Sequence, residues 1–337
     1  MTSAGTPLIE CVPNVSEGRD ERVVEALRSA IVDGAGVRLL HTDVGADAHR
    51  TVFTFAGEPE AVGDAAVRLG LAVARYIDMR QHHGAHPRLG ALDVCPFIPV
   101  RNATLDRCVG VARRVAATLA HDAGISVYLY EAASFRPDRR SLAMLRRGEY
   151  EGLPSRLGAA NGLPDFGPSR FSPRLGASVV GARPILIAWN VSLATEDVAI
   201  ARRIAGRVRT SGVRARVPGM VEEVVTPGRL AAVRAVGWSM PGYGLAQVSM
   251  NLLDYRVTPL DIAYRAVCEE AAREGTTVLG SELIGLVPAD ALIGAGRRLA
   301  DDPGADEEVA IQAAVAGLGL SHLMPFDPAL RILERCL

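Results

Sequence analysis

A chain of 337 residues is too long for one ordinary hydrophobic core and suits two lobes of roughly 150 residues each. Its composition is 49% hydrophobic and 22% charged, that of a soluble globular protein, and a formal net charge of −1 supplies no global field to draw in nucleic acid or an anionic membrane. No apolar run approaches the roughly 18 to 20 residues that span a bilayer, and MTSAGTPLIE lacks the basic start and apolar middle of a signal peptide. A cytoplasmic protein with no nucleic-acid or membrane partner is therefore expected.

The five cysteines (Cys11, Cys95, Cys108, Cys268, Cys336) show no CxxC spacing, which points away from a disulfide framework and from a thiolate zinc site. All 37 basic side chains are arginine. Without lysine there is no amine for a Schiff base and no P-loop lysine; what remains is a fixed cationic fork suited to carboxylates. A bias in genome base composition produces the same skew.

In chain order, EALRSAIVDG reads as an amphipathic helix ending near Gly34, GVRLLHTDVG and RTVFTFAGEP as strands, and EAVGDAAVRLGLAVARYID as a long helix packed on small residues. The prolines at 96 and 99 of LDVCPFIPV suit an edge or an irregular strand. TLDRCVGVARRVAATLAHDAG is a helix capped by Thr104 and closed by Gly124, followed by the strand ISVYLYEAAS. From about Pro154 to Ala182 the chain is rich in Gly, Pro and Ser without a clear period, too long for an idle connection, and Phe166 and Phe171 argue for order. The second half runs strand (RPILIAWNVSL), helix (about 195–211), two strands (LAAVRAVGWSM and LAQVSMNLLDYRV), helix (about 259–273) and strand (TTVLGSELIGLVP), closed by the helical DEEVAIQAAVAGLGL. That βαββαβ order is the split pattern of a ferredoxin-like layer of helices on an antiparallel sheet. The expected fold is thus α/β (α+β) in two subdomains: 1–181, an N-terminal mixed-sheet lobe, and 182–337, the ferredoxin-like lobe.

QHHGAHPRLGALD, residues 81–93, holds three of the seven histidines. A metal site would need His82, His83 and His86 to converge, but Gly84 and Pro87 break the helix that would bring His82 and His86 together, so no metal is expected. His82 and His83 read equally well as ordinary surface side chains where a helix ends. His86 precedes a ring-locked residue and leads by way of Arg88 into a strand, the layout of an acid/base held on a rigid loop. ECVPNVSEGRD places Asn14, Ser16 and Glu17 after a strand, and HTDVGADAHRTV places Asp43, Asp47, His49 and Arg50 in a turn. Together these form a kit for a small, acidic, amino-acid-like substrate.

The segments ECVPNVSEGRD, HRTVFTFAG, HHGAHPRLGALDVCPFIPV, VYLYEAA, RRGEYEGLP, PDFGPS, GARPILIAWNVSL, LAQVSMNLLDY and GLVP, collinear from about residue 9 to the C-terminus, resemble the formiminotransferase domain. The resemblance implies transfer of a formimino group from N-formimino-L-glutamate to N5 of tetrahydrofolate, in histidine degradation and one-carbon metabolism, with tetrahydrofolate as co-substrate. It implies that His86, in the HPR segment, is the catalytic general acid/base. It also implies a folate-binding segment formed by Gly167, Pro168, Ser169, Arg170, Phe171, Ser172, Pro173, Arg174, Leu175 and Gly176, two α/β subdomains, a homodimer, and a separate cyclodeaminase acting on the product. Given anionic substrates, Arg50 and Arg88 are the expected carboxylate clamps, Asp43 an orienting carboxylate, Asn14 a further substrate contact, and Phe171 a wall for the pterin ring. The chain departs from the family pattern at His83, Ala85 and Leu175, where lysine, glutamate and tryptophan are usual. Those departures keep two alternatives open: a folate-dependent transferase using another donor such as N-formyl-glutamate, and a non-catalytic folate-binding homologue.

Overall fold

The computed structural model describes residues 5–84, 87–216 and 223–337. It divides into two compact units, Met1–Ile185 and Leu186–Leu337, each built on its own main sheet. Among the described residues no helix is long and apolar enough to cross a membrane.

The first unit runs β1 (Leu8–Cys11), β2 (Asn14–Val15), α1 (Glu21–Val32), β3 (Val37–Gly45), β4 (Arg50–Gly57), α2 (Pro59–Tyr76), β5 (Leu92–Arg101), α3 (Leu105–Asp122), β6 (Ser126–Glu131), α4 (Leu142–Leu145), α5 (Leu153–Leu157) and β7 (Ala177–Ala182). Across the sheet the order is β3, β4, then β1 and β2 end to end, β5, β7, β6. β5, β7 and β6 are mutually parallel and the other pairs antiparallel, which is the mixed sheet expected.

The three long helices form where the sequence supplies caps and an apolar stripe. Asp20 accepts the backbone N–H groups of Arg22 and Val23, and Val24, Leu27 and Ile31 follow at helical spacing as the buried face of α1. Pro59 opens α2, and its small residues admit a close neighbour: a Cβ on Gly70 would meet Leu119 of α3 at 2.3 Å. Thr104 accepts Arg107 N–H at 3.2 Å to start α3, as anticipated. These helices cover one face of the sheet through Leu27, Leu69, Val115, Leu119, Phe53, Phe55 and Phe97.

Of the two forms its prolines allow, LDVCPFIPV takes the irregular one and not the edge, because β5 lies in the middle of the sheet with partners on both sides. Its prolines are accommodated by irregular pairing: the chain breaks between β1 and β2 at Val12 and Pro13, where Val12 N–H reaches Pro96 O at 3.2 Å, and the register with β1 shifts beside Pro99. A second shift lets Leu92 to Val94 span only Val15 to Asn14, so Asp93 is the inserted residue of a bulge.

The face opposite α1, α2 and α3 positions the site. Cross-strand partners share a face, and the register aligns Asp43 with Val52, Asn14, Val94, Val179 and Tyr128. On the β5–β7–β6 half this face is covered by Leu145 of α4 and by Leu153 and Leu157 of α5, packed on Val94, Tyr128 and Val179. The β2–β3–β4 half carries polar residues instead.

The second unit runs β8 (Ile187–Leu193), α6 (Val198–Val208), β9 (Val213–Arg216), β10 (Glu223–Thr226), β11 (Val233–Met240), β12 (Leu245–Leu252), α7 (Leu260–Arg273), β13 (Val278–Ile284), α8 (Ala289–Leu299), α9 (Glu307–Gly317), α10 (Pro328–Arg331) and α11 (Leu333–Cys336). Its sheet is antiparallel in the order β11, β12, β8, β13, the ferredoxin-like arrangement read from the sequence. The β9–β10 pair is an insertion that no hydrophobic pattern announced. Gly237 fixes which face α6 covers: a Cβ there would sit 2.2 Å from Arg202 N.

Candidate active site

Five stretches of the first unit converge on the polar half of the sheet: the loop after β2, the β3–β4 hairpin, the segment between α2 and β5, residues 146–151, and the segment leading into β7. Backbone and side-chain bonds stitch them together. Ser16 donates to Gly90 O at 2.8 Å and its N–H to Ala91 O at 2.9 Å, while Thr51 Oγ1 donates to Glu17 O at 2.6 Å. Gly84 can be nothing larger, since a Cβ there would lie 2.2 Å from Ala48 O.

Two histidines form the centre of the contact between hairpin and loop. His49 (φ 48°) and His82 stack with ring centroids 4.3 Å apart and planes 9° from parallel. His82 is only 4% exposed, which corrects the reading of it as a surface side chain; His83 is exposed. His82 Nδ1 accepts from Arg88 Nε at 3.3 Å, so the proton sits on His82 Nε2, which donates to His49 O at 2.7 Å. That places the neutral tautomer there, and burial, opposed by the bond to His49 O, holds the imidazole below its ordinary value. With both nitrogens engaged, His82 positions the loop and has no lone pair to offer a substrate.

His49 Nδ1 faces His83 O at 3.2 Å and its Nε2 faces Glu17 Oε1 at 3.2 Å. Burial pushes the Glu17 carboxyl up, but the N–H groups of Arg19, Asp20 and Gly18, at 2.8 to 3.1 Å, together with the charge of His49, outweigh it and leave Glu17 below the usual carboxylate range. Loop 82–84 is thereby tied to an anionic anchor at the start of α1.

Arg88 closes the other side. Besides His82 it donates to Glu151 at 2.6 and 2.9 Å and to Glu149 at 3.3 Å, and its guanidinium lies 5.6 Å from the centre of the Tyr150 ring. The Glu151 hydrogen bond raises the guanidinium further above its ordinary value. Its fork is occupied, so a carboxylate ligand at Arg88 would have to displace Glu151.

A second ion pair lies beneath. Asp93, fully buried, accepts Leu89 N–H at 2.8 Å on one oxygen and Arg146 on the other. Arg50 stands two residues along β4 from Val52, on the face that carries Asp43 and Asn14. Burial and the charge of Arg146 pull it down to about 10, against the opposing charges of Asp93 and Asp43, so it stays cationic at neutral pH. Asp43 lies 4.0 Å from His41 Nε2, and Asn14 Nδ2 donates to Val12 O at 3.2 Å. Asn14, Asp43 and Arg50 thus share one polar surface. His86 and Ala85 lie outside the described residues.

The segment Gly167–Gly176 docks along this site. Gly167 and Gly176 have φ of 86° and 65°, and a Cβ on either would meet a carbonyl oxygen (of Ile125 or Leu89) at 2.3 Å. Pro168 O accepts Ser126 Oγ at 2.7 Å, Ser172 O accepts Gly176 N–H at 2.8 Å, and Pro173 O accepts the Tyr150 hydroxyl. Arg174 O takes Met79 N–H and Leu175 O takes Ala91 N–H, both at 2.9 Å, while Gly90 bridges Gly176. Phe171 rests on Tyr150 with ring centroids 5.4 Å apart. Ser169 and Arg170 are exposed.

Sequence reasoning singled out neither Asp93 and Arg146 nor the clamp of Glu149 and Glu151 on Arg88. A signal for the first existed: Asp93 is the only charge in the otherwise apolar LGALDVCPFIPV, and a buried carboxylate needs a cation.

The family model for the formiminotransferase domain, N-terminal subdomain, matches residues 8–183, and that for the formiminotransferase domain matches residues 188–337. The chain is 38% identical to glutamate formimidoyltransferase of Streptococcus pyogenes serotype M1, over 85% of this chain and 91% of the relative. To glutamate formimidoyltransferase of Thermoplasma acidophilum it is 39% identical, over 89% and 94%. It is 44% identical to the formimidoyltransferase-cyclodeaminase of Rattus norvegicus over 97% of its own length, but spans only 59% of that longer relative. With matches across both units and near-complete coverage of the two shorter relatives, the chain belongs to the formiminotransferase family.

Proposed function

We propose that this chain transfers a formimino group from N-formimino-L-glutamate to N5 of tetrahydrofolate, with His86 as general acid/base. What supports the reading is that the segment flanking His86 and the segment Gly167–Gly176 are hydrogen-bonded to each other, through Met79 to Arg174 and Ala91 to Leu175. One substrate bound along the second segment would therefore lie beside the loop that carries the imidazole.

N5 of the reduced pterin attacks the amidine carbon, forming the N5–C bond and a tetrahedral species. The N5 proton passes to His86, which then protonates the glutamate nitrogen as its bond to that carbon breaks. An imidazole suits both transfers near neutral pH and contributes on the order of 10² to 10⁴ in rate. Arg50, with Asn14 and Asp43 on the same face, would hold the glutamate end; Arg88 serves it only by releasing Glu151. Phe171 would flank the pterin. We place the protein in the cytoplasm as a homodimer whose product is consumed by a cyclodeaminase, the activity with which the names of the longer relatives couple the transferase.

The test is incubation of the purified chain with tetrahydrofolate and N-formimino-L-glutamate, or N-formyl-L-glutamate in a parallel arm, following the absorbance of 5-formimino-tetrahydrofolate. Turnover with the formimino donor is expected. Turnover with the formyl donor alone, or tetrahydrofolate binding with no turnover of either donor, would overturn the assignment.

A further inference from the structure

His49 turns each ring nitrogen toward an acceptor. Nδ1 lies 3.2 Å from His83 O, and Nε2 lies 3.2 Å from Glu17 Oε1. A neutral imidazole carries a single N–H, so it satisfies one of these partners and points a lone pair at the other. Glu17 does not supply the missing proton. Its Oε1 already accepts the N–H groups of Gly18, Arg19 and Asp20, at 2.8 to 3.1 Å, which favour the carboxylate. The imidazolium, with two N–H groups, serves both contacts.

The surroundings agree with that charge. His82, stacked on His49 with ring centroids 4.3 Å apart, is held neutral by Arg88 Nε and His49 O, so one charged ring lies on one uncharged ring. His49 and Glu17 are only 11% and 15% exposed, where solvent and salt screen a pair weakly. The other charged groups nearby are Arg88, behind His82; Arg19, whose Nε donates to Ala46 O of the same hairpin at 3.1 Å; and Asp47 and Arg50, which flank His49 along the chain. The segment that His49 holds lies directly against it. A Cβ on Gly84 would come within 3.0 Å of His49 Cβ, and His86 follows Gly84 by two positions.

The geometry points to His49, as the imidazolium, as a positioning residue that ties the backbone of His83 to the carboxylate of Glu17 and so steadies the approach to His86. This rests on the proposed transfer reaction, in which His86 exchanges protons with two different nitrogens. When His49 gives up its proton to solvent, one of the two ties is lost. The rate of transfer then falls as pH rises, through a group that touches neither substrate.

The experiment measures kcat and KM from about pH 5.5 to about pH 8.5, the range in which an imidazole changes charge, for wild type, His49→Asn and Glu17→Gln. Asparagine tolerates the φ of 48° at this position and keeps an N–H donor, but it does not titrate. Wild-type kcat should exceed that of His49→Asn severalfold at the acid end and converge with it at the alkaline end, with KM for tetrahydrofolate little changed. Glu17→Gln removes the charge that holds the proton on His49, so the wild-type decline should move to lower pH. A purely structural contact would instead lower kcat by the same factor at every pH. Nitrogen-15 NMR of the histidine rings reads the charge without any substrate, and at about pH 6 both nitrogens of His49 should be protonated while His82 carries one proton. If wild type turns over neither donor, the transfer reading fails and hydrogen exchange of the peptide 82–92 decides: it should be faster in His49→Asn than in wild type at about pH 6 and equal at about pH 8.5. A neutral His49 ring at about pH 6, or a ratio of wild-type to His49→Asn kcat that does not change with pH, would overturn the assignment.

Discussion

His82 shows how a single hydrogen-bond partner decides a role. Arginine never accepts, so the contact from Arg88 Nε forces the lone pair onto Nδ1 and removes the side chain from proton transfer. Because the folded pKa is lowered and the unfolded one stays near 6.5, protons bind the unfolded chain more readily. The stability this confers is present above pH 6.5 and is lost as pH falls from 6.5 through the folded value. Thermal unfolding from pH 8 to 5 should show wild type losing stability across that window, and His82→Asn, less stable at pH 8, losing measurably less; equal losses would contradict the neutral buried tautomer. Asp93 makes the complementary case. Asp93→Ala strands Arg146 and Leu89 N–H, and urea denaturation should register a loss of about 3–5 kcal/mol, the usual cost of breaking a buried pair from one side. The pair was foreshadowed by one charge in an apolar strand. The identity of its partner was not, because Arg146 lies 53 residues away in a chain where every basic residue is arginine.

At the level of elements, periodicity and caps were legible where local physics dominates. The Thr104 cap, the closing Gly124 (φ 64°), and the βαββαβ order of the second unit all appear as read. What was left open was set by neighbours: the prolines of β5 suited an edge or an irregular strand, and the break between β1 and β2 lets an irregular central strand carry them. The aperiodic crossover hid α5 and the docking of Gly167–Gly176, whose bonds to the distant backbone of Met79 and Ala91 and the side chains of Ser126 and Tyr150 leave no period in the sequence. That docking has a sharp requirement at Gly176, where positive φ and the approach of Leu89 O both exclude a side chain. Gly176→Ala should cost about 1–3 kcal/mol of stability and weaken tetrahydrofolate binding severalfold or more by calorimetry. Unchanged affinity in a folded variant would separate this segment from folate.

Across the whole molecule, the absence of lysine leaves guanidinium as the only fixed cation on any side chain. Any permanently charged side-chain clamp on an anionic substrate is then an arginine. Phenylglyoxal, which modifies arginine, should inactivate the enzyme with protection by tetrahydrofolate plus N-formyl-glutamate, whereas amine acylation should spare activity; the reverse sensitivity would contradict an arginine-lined site. The first unit supplies a clamped loop, a docked segment and the Arg50 surface. The proposed chemistry depends on the imidazole of His86; the described residues before it are tied down by His82 and His49, and those after it by Arg88. The most direct test is single-turnover and steady-state kinetics of His86→Ala with tetrahydrofolate and N-formimino-L-glutamate, alongside tetrahydrofolate binding by calorimetry. The account predicts a fall in kcat on the order of 10² to 10⁴ with folate affinity retained. A variant that binds folate normally and keeps near-full kcat would contradict it.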